Sequence, residues 1–261
     1  MTGRVIAVSG AAGGVGTSTV AAALTVVAAT MSGAAGCVDV DEFGGGIDVH
    51  FGLDCEPGVR WDDLSGVRGA LDPAALVPRL PAVDGAWVLS HSRRERGRPW
   101  SPGPPVAERR GLLEVLGHTG RTLVLAAGRA AGDEWWLPDT DLVLLVMGSS
   151  AAGLSAASGA VHRLGHKEIR ILLTGPAAHP ELAGVVAEAL DIDVIGCLRR
   201  RRGLAADLRR GRPPRIRGRG SLSVALAGVL ELAEALPRVR PENRRPASAT
   251  LAAAVSGGGM P

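Results

Sequence analysis

Val5-Ile6-Ala7-Val8-Ser9-Gly10-Ala11-Ala12-Gly13-Gly14-Val15-Gly16-Thr17-Ser18-Thr19-Val20 is the stretch on which the fold turns. An apolar run, a glycine-rich turn and an Ala/Leu/Val-rich segment over residues 19–31 follow one another. Strand, loop and helix in that order put the loop at a helix N-terminus. Backbone N–H groups there can converge on a phosphate, and glycines let the backbone approach it without a Cβ clash. The usual phosphate-binding loop closes with Gly-Lys-Ser/Thr, and here Gly16-Thr17-Ser18 stands in that place. A glycine-rich turn with no ligand is the plainer alternative. Ser18 is a Mg²⁺ ligand or simply a helix cap, since hydroxyls serve both roles.

Outward from this loop the same alternation repeats. Residues 36–40, 86–90, 122–126, 141–147, 168–173 and 194–196 are short apolar runs that read as strands. Residues 61–64, 73–80, 106–116, 151–164, 180–190 and 221–236 read as helices, and residues 93–105 as a polar loop. Apolar strands without period-two alternation fit a parallel sheet covered on both faces. The expected fold class is therefore α/β, one domain with a mostly parallel sheet and helices on both faces. Ligands in such sheets bind at the carboxyl ends of the strands. The expected domain is residues 1–236. A Pro/Arg/Ser/Gly-rich stretch over residues 237–261 reads as a disordered tail.

Composition narrows the function. The chain has 261 residues, 46% apolar and 21% charged, with 3% aromatic and no Tyr. Three scattered cysteines, Cys37, Cys55 and Cys197, exclude a disulfide framework and a cysteine-based zinc site. His162 and His166 have helical i,i+4 spacing but no carboxylate motif beside them, so a metal site there is not expected. With neither a signal peptide nor an apolar run long enough to span a bilayer, a soluble, intracellular protein is expected. The net charge of +3 hides a strong asymmetry. Residues 199–219 hold ten of the 29 basic residues and one of the 26 acids, leaving nineteen basic against twenty-five acidic elsewhere, a net of −6. Such a segment can hold phosphates, nucleic acid or an anionic surface, or be a solvated face. Lys167 is the single lysine.

The loop Ala12-Gly13-Gly14-Val15-Gly16-Thr17-Ser18-Thr19 resembles the deviant Walker A loop of the MinD/ParA family of P-loop ATPases, Lys-Gly-Gly-x-Gly-Lys-Ser/Thr-Ser/Thr. Within it, the chain looks like the CpaE/TadZ branch, including the septum-site-determining group, which shows Gly-Gly-x-Gly-Ala/Thr-Ser-Thr. Asp39-Val40-Asp41 and Gly45-Gly46-Ile47-Asp48 are similar to the family's Asp-x-Asp segment and its sequel. Thr174-Gly175-Pro176, Gly211-Arg212-Pro213-Pro214 and Gly220-Ser221-Leu222 resemble later signatures, so that the likeness covers roughly residues 3–236. The resemblance implies a single P-loop NTPase domain binding ATP or ADP with Mg²⁺. Gly13, Gly14, Val15, Gly16, Thr17, Ser18 and Thr19 would form the nucleotide site, Ser18 would hold Mg²⁺, and Asp41 would place the attacking water or the magnesium shell. Arg199 opens the arginine run after the last strand, a segment near the nucleotide in this family, and is expected to approach the phosphates or base. Asp39 reads as structural.

Three charged groups of the family pattern are missing. Ala12 replaces the signature lysine, Thr17 the ordinary P-loop lysine, and Ala126 the Walker B aspartate. Phosphoryl transfer depends on positioning and charge stabilisation, so weak or absent hydrolysis is expected: a pseudo-ATPase. The implied function is an ATP-binding spatial regulator of septum placement or of pilus/secretion machinery assembly. Its implied partners are proteins of a division or secretion complex, with a homodimer open. It would be cytoplasmic, with recruitment to the membrane or septum by those partners. Two alternatives stay open: a ParA-like module binding DNA or an anionic surface through residues 199–219, and an active ATPase using arginines in place of lysines. Trp135-Trp136, after the degenerate Walker B strand, read as core or as an interface.

Overall fold

The computed structural model describes residues 3–66, 72–91, 103–130, 134–165, 167–199, 212, 214 and 221–237. Most of the arginine-rich segment, all of the tail beyond Pro237, and His166 lie outside the described residues.

The described chain runs β1 (Val5–Gly10), α1 (Thr17–Ser32), β2 (Ala35–Asp39), α2 (Pro73–Leu76), β3 (Ala82–Val83), β4 (Ala86–Leu89), α3 (Val106–Gly117), β5 (Thr122–Arg129), β6 (Leu142–Gly148), α4 (Ala151–Leu164), β7 (Ile169–Thr174), α5 (Pro180–Leu190), β8 (Val194–Leu198) and α6 (Ser221–Ala235). The strands form one eight-stranded sheet in the order β3-β4-β2-β5-β1-β6-β7-β8. Every pairing is parallel except β3 with β4. The expected α/β architecture is therefore present, with β1 at the centre between β5 and β6.

The strands are buried on both sides, which is why they read as unbroken apolar runs. On one face Ile6, Val8, Val124 and Leu144 pack with Leu24 of α1 and Leu226 and Val229 of α6. On the other, Ala7, Leu125, Leu145 and Ile171 pack with Leu113 of α3, Ala157 of α4 and Val186 of α5. Burying a Leu or Val fully contributes about 1.5–3 kcal/mol relative to exposure. In α6 the buried Leu222, Leu226, Val229, Leu230 and Ala233 form one helical stripe.

Three local differences from the sequence reading have physical reasons. Residues 61–64 form a 3-10 turn, and residues 73–80 resolve into one α-turn and a 3-10 turn, Val77–Arg79, because Pro78 interrupts the α-helical hydrogen-bond ladder. β3 was not expected; it pairs with β4 across Asp84-Gly85, both at positive φ (48° and 80°), the geometry of a two-residue hairpin turn. β5 continues three residues past Ala126, and its register with β1 shifts between Val8 and Gly10.

At the far end of the sheet Arg4 ties the chain together. Its guanidinium donates to the carbonyls of Glu234 and Leu236, both at 2.7 Å, and faces Asp141 at 4.0 Å. Asp141 in turn accepts from the Val5 N–H at 2.9 Å. A buried cation at the last carbonyls of α6 satisfies groups that helix ends leave open.

Candidate functional site

The turn after β1 is held from below and open above. Ala11 N–H donates to the Val146 carbonyl at 2.9 Å, and Ala130 N–H to the Gly10 carbonyl at 3.1 Å. A Cβ on Gly10 would lie 2.3 Å from the Thr17 hydroxyl and 3.1 Å from the Ala12 carbonyl, so only glycine lets the loop close over the strand. Gly16 turns the chain into α1 at φ 96°, a left-handed conformation that glycine adopts freely. Added Cβ atoms at Gly13, Gly14 and Gly16 would meet nothing within 4 Å. Of the expected nucleotide-site residues in this loop, Ser18 lines the neighbouring cavity, and Gly13, Gly14, Val15, Gly16, Thr17 and Thr19 do not.

The sequence left Ser18 as either a cap or a ligand. Gly16 is the N-cap of α1, with no side-chain cap hydrogen bond and no acid in the first turn. By contrast Ser150 caps α4 through Gly153 N–H at 3.1 Å, and His179 caps α5 through Leu182 N–H at 3.3 Å. The capping alternative for Ser18 is thus not realised, and the positive end of the α1 dipole faces the cavity.

That cavity has a volume of about 260 Å³ and is lined by Ser18, Asp39, Asp41, the Gly44–Gly46 loop, Ile47, Val49, His50, Ala126 and Gly128. Ala126 sits between Val8 of β1 and Asp39 of β2 in register, at the back of the cavity. Ala126 thus presents a methyl group to the cavity. Asp41 leans over β5: a Cβ on Gly128 would fall 2.2 Å from Asp41 Oδ2. The missing side chain at 128 gives the carboxylate its place. Ser18 and Asp41 both line this cavity and carry oxygen donors of the kind Mg²⁺ takes. No group of three or more His, Cys, Asp or Glu able to hold a metal by itself occurs among the described residues.

Asp39 is fully buried and bonded within the protein. It accepts from Asp41 N–H at 3.2 Å and Ile47 N–H at 2.9 Å, and the Ser90 hydroxyl lies 3.4 Å away. Burial pushes its carboxyl up to about 7, against the lowering effect of those backbone donors. His50, at the cavity wall, is held below the usual histidine range by burial, and its Nδ1 has no hydrogen-bond partner among the described residues. Behind the wall Asp48 pairs with Arg60 at 3.2 Å, and Arg60 also donates to the carbonyls of Leu53, Glu56 and Gly58. Arg109 of α3 is buried between Trp61 and Trp135, 5.8 Å from each ring centroid. It pairs with Glu42, next to Asp41, and donates to the Pro104 carbonyl. Trp136 is buried in the core, with Trp135 packed against it.

The remaining expected residues are spread along the same edge. Arg199 follows β8, three strands from β1, or roughly 14 Å at the usual strand spacing. Its Nε donates to the Ala178 carbonyl at 3.3 Å, and it does not line the cavity. Lys167 lies at the opposite end of the sheet, near the Thr140 carbonyl at 3.4 Å. Sequence reasoning missed Thr174, whose hydroxyl lies 3.1 Å from the Val15 carbonyl and 3.0 Å from that of Met147, fastening the loop to the end of β7. Nothing in a single sequence pairs positions 159 apart.

No protein-family model matches the chain. The uncharacterized protein Rv3660c of Mycobacterium tuberculosis is 33% identical over 240 residues, which are 90% of this chain and 65% of that protein. The matched region spans 65% of that protein's length, less than two-thirds of it. The septum site-determining protein MinD of Pyrococcus horikoshii, solved with Mg-ADP, superposes with a TM-score of 0.70 at 17% identity, covering 89% of this chain and 98% of that one. A ParA family ATPase from Chlorobium tepidum superposes with a TM-score of 0.69 at 16% identity, covering 89% and 98%. The fold is that of the ParA and MinD ATPases.

Proposed function

We propose that the chain is a MinD/ParA-type P-loop protein that binds ATP or ADP with Mg²⁺ in the turn after β1 and works as a spatial regulator through protein partners. The observation that carries this reading is the uncapped N-terminus of α1 beside an open glycine loop, with Ser18 of its first turn and Asp41 lining one cavity. The free N–H groups of Gly13 to Thr19 would hold the phosphates, as helix N-termini and glycine-rich loops do. Ser18 would ligate Mg²⁺, which when bound neutralises phosphate charge, and Asp41 would orient water in its shell. Arg199 would approach from the β8 side after releasing the Ala178 carbonyl. Ala12, Thr17 and Ala126 leave the site short of three charges, so the nucleotide would act as a bound signal, with weak or no turnover.

The likeness to a septum site-determining protein supports a role in placing a division septum, and the CpaE/TadZ resemblance extends this to assembly of a pilus or secretion machine. Calorimetric titration with ATP and ADP, in Mg²⁺ and then in EDTA, tests the reading. Binding in the millimolar range or tighter, weakened by EDTA and by Asp41→Ala, is expected. No heat at several millimolar nucleotide overturns it.

Charge segregation supports a second reading, in which residues 199–219 hold DNA or an anionic surface. Such binding would fall steeply with salt and survive without nucleotide. An active ATPase with arginines in place of lysines would instead release phosphate steadily.

A further inference from the structure

A phosphate chain carries several negative charges, and the loop after β1 brings no cation of its own: Ala11, Ala12 and Thr17 are neutral. Backbone donors and a helix dipole alone leave that charge under-compensated, so a cation from elsewhere is the natural complement. The described basic side chains near this edge are mostly committed. Arg109 is buried against Glu42, Arg163 donates to the Ala130 carbonyl at 3.1 Å, and Arg199 is held at the Ala178 carbonyl. Lys167 lies at the other end of the sheet.

Arg129 differs from all of them. It is the last residue of β5, it is exposed, and it has no hydrogen-bond or ion-pair partner among the described residues. Its Cα is in register with Gly10, where the loop begins. That register exists because β5 carries one extra residue: Val8 pairs with Ala126, but Gly10 pairs with Arg129. Such a bulge re-aims side chains, and bulges of this kind recur beside active sites. Paired residues on neighbouring strands present their side chains to the same face. For Gly10 that direction is marked by what a Cβ would meet: the Thr17 hydroxyl, the Ala12 carbonyl and the Val15 side chain, which are the inner wall of the loop. Without the extra residue, position 129 would fall one register step further on and face the opposite side. Adjacent strands are about 4.8 Å apart, well within an arginine's reach. The same bulge contains Gly128, over which the Asp41 carboxylate leans, and no ion pair forms between Asp41 and Arg129.

We propose that Arg129 is the phosphate-binding cation of this lysine-free loop, delivered by the β5 bulge to the rim at Gly10, where it contacts the terminal phosphates of a bound nucleoside triphosphate. The inference rests on the nucleotide-binding reading and adds to it the residue that supplies the missing charge.

The test is calorimetry of the full chain with MgATP and MgADP, for wild type, Arg129→Gln, Arg129→Lys and Arg199→Gln. Arg129→Gln is expected to weaken ATP at least about tenfold, as loss of a charge-assisted phosphate contact does, and ADP less. Arg129→Lys should recover most of the loss, and Arg199→Gln, whose side chain must first leave the Ala178 carbonyl, should weaken ATP by less than Arg129→Gln does. The side chain is exposed, so the variants should keep the wild-type thermal midpoint. Phenylglyoxal labelling of wild type, mapped by mass spectrometry, gives a check without substitution: MgATP should protect Arg129. Wild-type binding that Arg129→Gln leaves within twofold, or Arg129 labelled equally with and without MgATP, overturns this inference and leaves the nucleotide reading standing. Absence of any nucleotide binding by wild type overturns both.

Discussion

Two loops leave neighbouring parts of the same sheet edge and are built on opposite plans. The loop after β2 draws its charges inward: Asp39, Asp48, Arg60 and, through Glu42, Arg109 are each bonded to protein, and Trp61 closes the wall with its indole N–H on the Asp39 carbonyl at 2.7 Å. The loop after β1 holds no charged residue and leaves its helix uncapped. Apart from Asp41, which lines the cavity, the first loop bonds these charged groups within the protein. The other has kept its donors free, and an unused buried-edge donor is where a ligand belongs.

If that contrast is real, substitutions in the two loops must fail in different ways. The largest effect is expected behind the β2 wall. Asp48→Ala leaves Arg60 buried without its counter-charge, which costs about 3–5 kcal/mol. Urea unfolding should read this loss directly, and a change below about 1 kcal/mol would mean the wall is not load-sharing as described. Next comes the pH dependence of the nucleotide-free protein. The Asp39 carboxyl is raised from 3.8 to about 7 by burial, so the folded state holds its proton more tightly than the unfolded chain does. The stability it contributes is complete below about pH 4, falls as pH rises towards 7, and is lost above that. Asp39→Asn should flatten this slope between pH 4 and 8, whatever it does to the absolute stability, and an unchanged slope would point to another group.

A helix elsewhere on this edge calibrates the comparison. Ser150→Ala removes a realised cap from α4 and should cost about 1 kcal/mol. Ser18→Ala removes no cap from α1 and should change stability by less than about 0.5 kcal/mol, while abolishing the Mg²⁺ dependence of nucleotide binding. If Ser18→Ala is as costly to the fold as Ser150→Ala, the two helix starts are alike and the contrast fails. The smallest effect on folding is expected for Gly13→Ala. Its Cβ enters open space at an ordinary backbone conformation, so unfolding should barely move, whereas a ligand seated in the rim would meet the new methyl group.

Much of this edge was legible in the sequence, because its signals are local. The glycine spacing from Gly10 to Gly16 and the apolar strands flanking it place the loop, and helices α4 and α5 begin and end where the residues indicate. Asp84-Gly85 also carried a hairpin signal, overshadowed by a strand of only two residues. The extension of β5 was hidden for a different reason: Ala127, Gly128 and Arg129 have no strand propensity to speak of and are held by pairing with Gly10, a tertiary effect. Thr174 on the Val15 carbonyl and Arg109 between two indoles join positions far apart in the chain, and no pattern within one segment encodes them.

The clasp made by Arg4 has a geometric consequence. By bonding the carbonyls at the end of α6, it brings the entrance of β1 and the exit of the last helix to one pole of the molecule, opposite the pole that carries the cavity. A domain, a fluorescent protein or an affinity handle joined beside Arg4 or Leu236 sits at that pole and leaves the cavity clear. For the same reason the fold is suited to circular permutation: a short bridge across the clasp, with new termini opened at another surface loop, preserves every strand neighbour in the sheet.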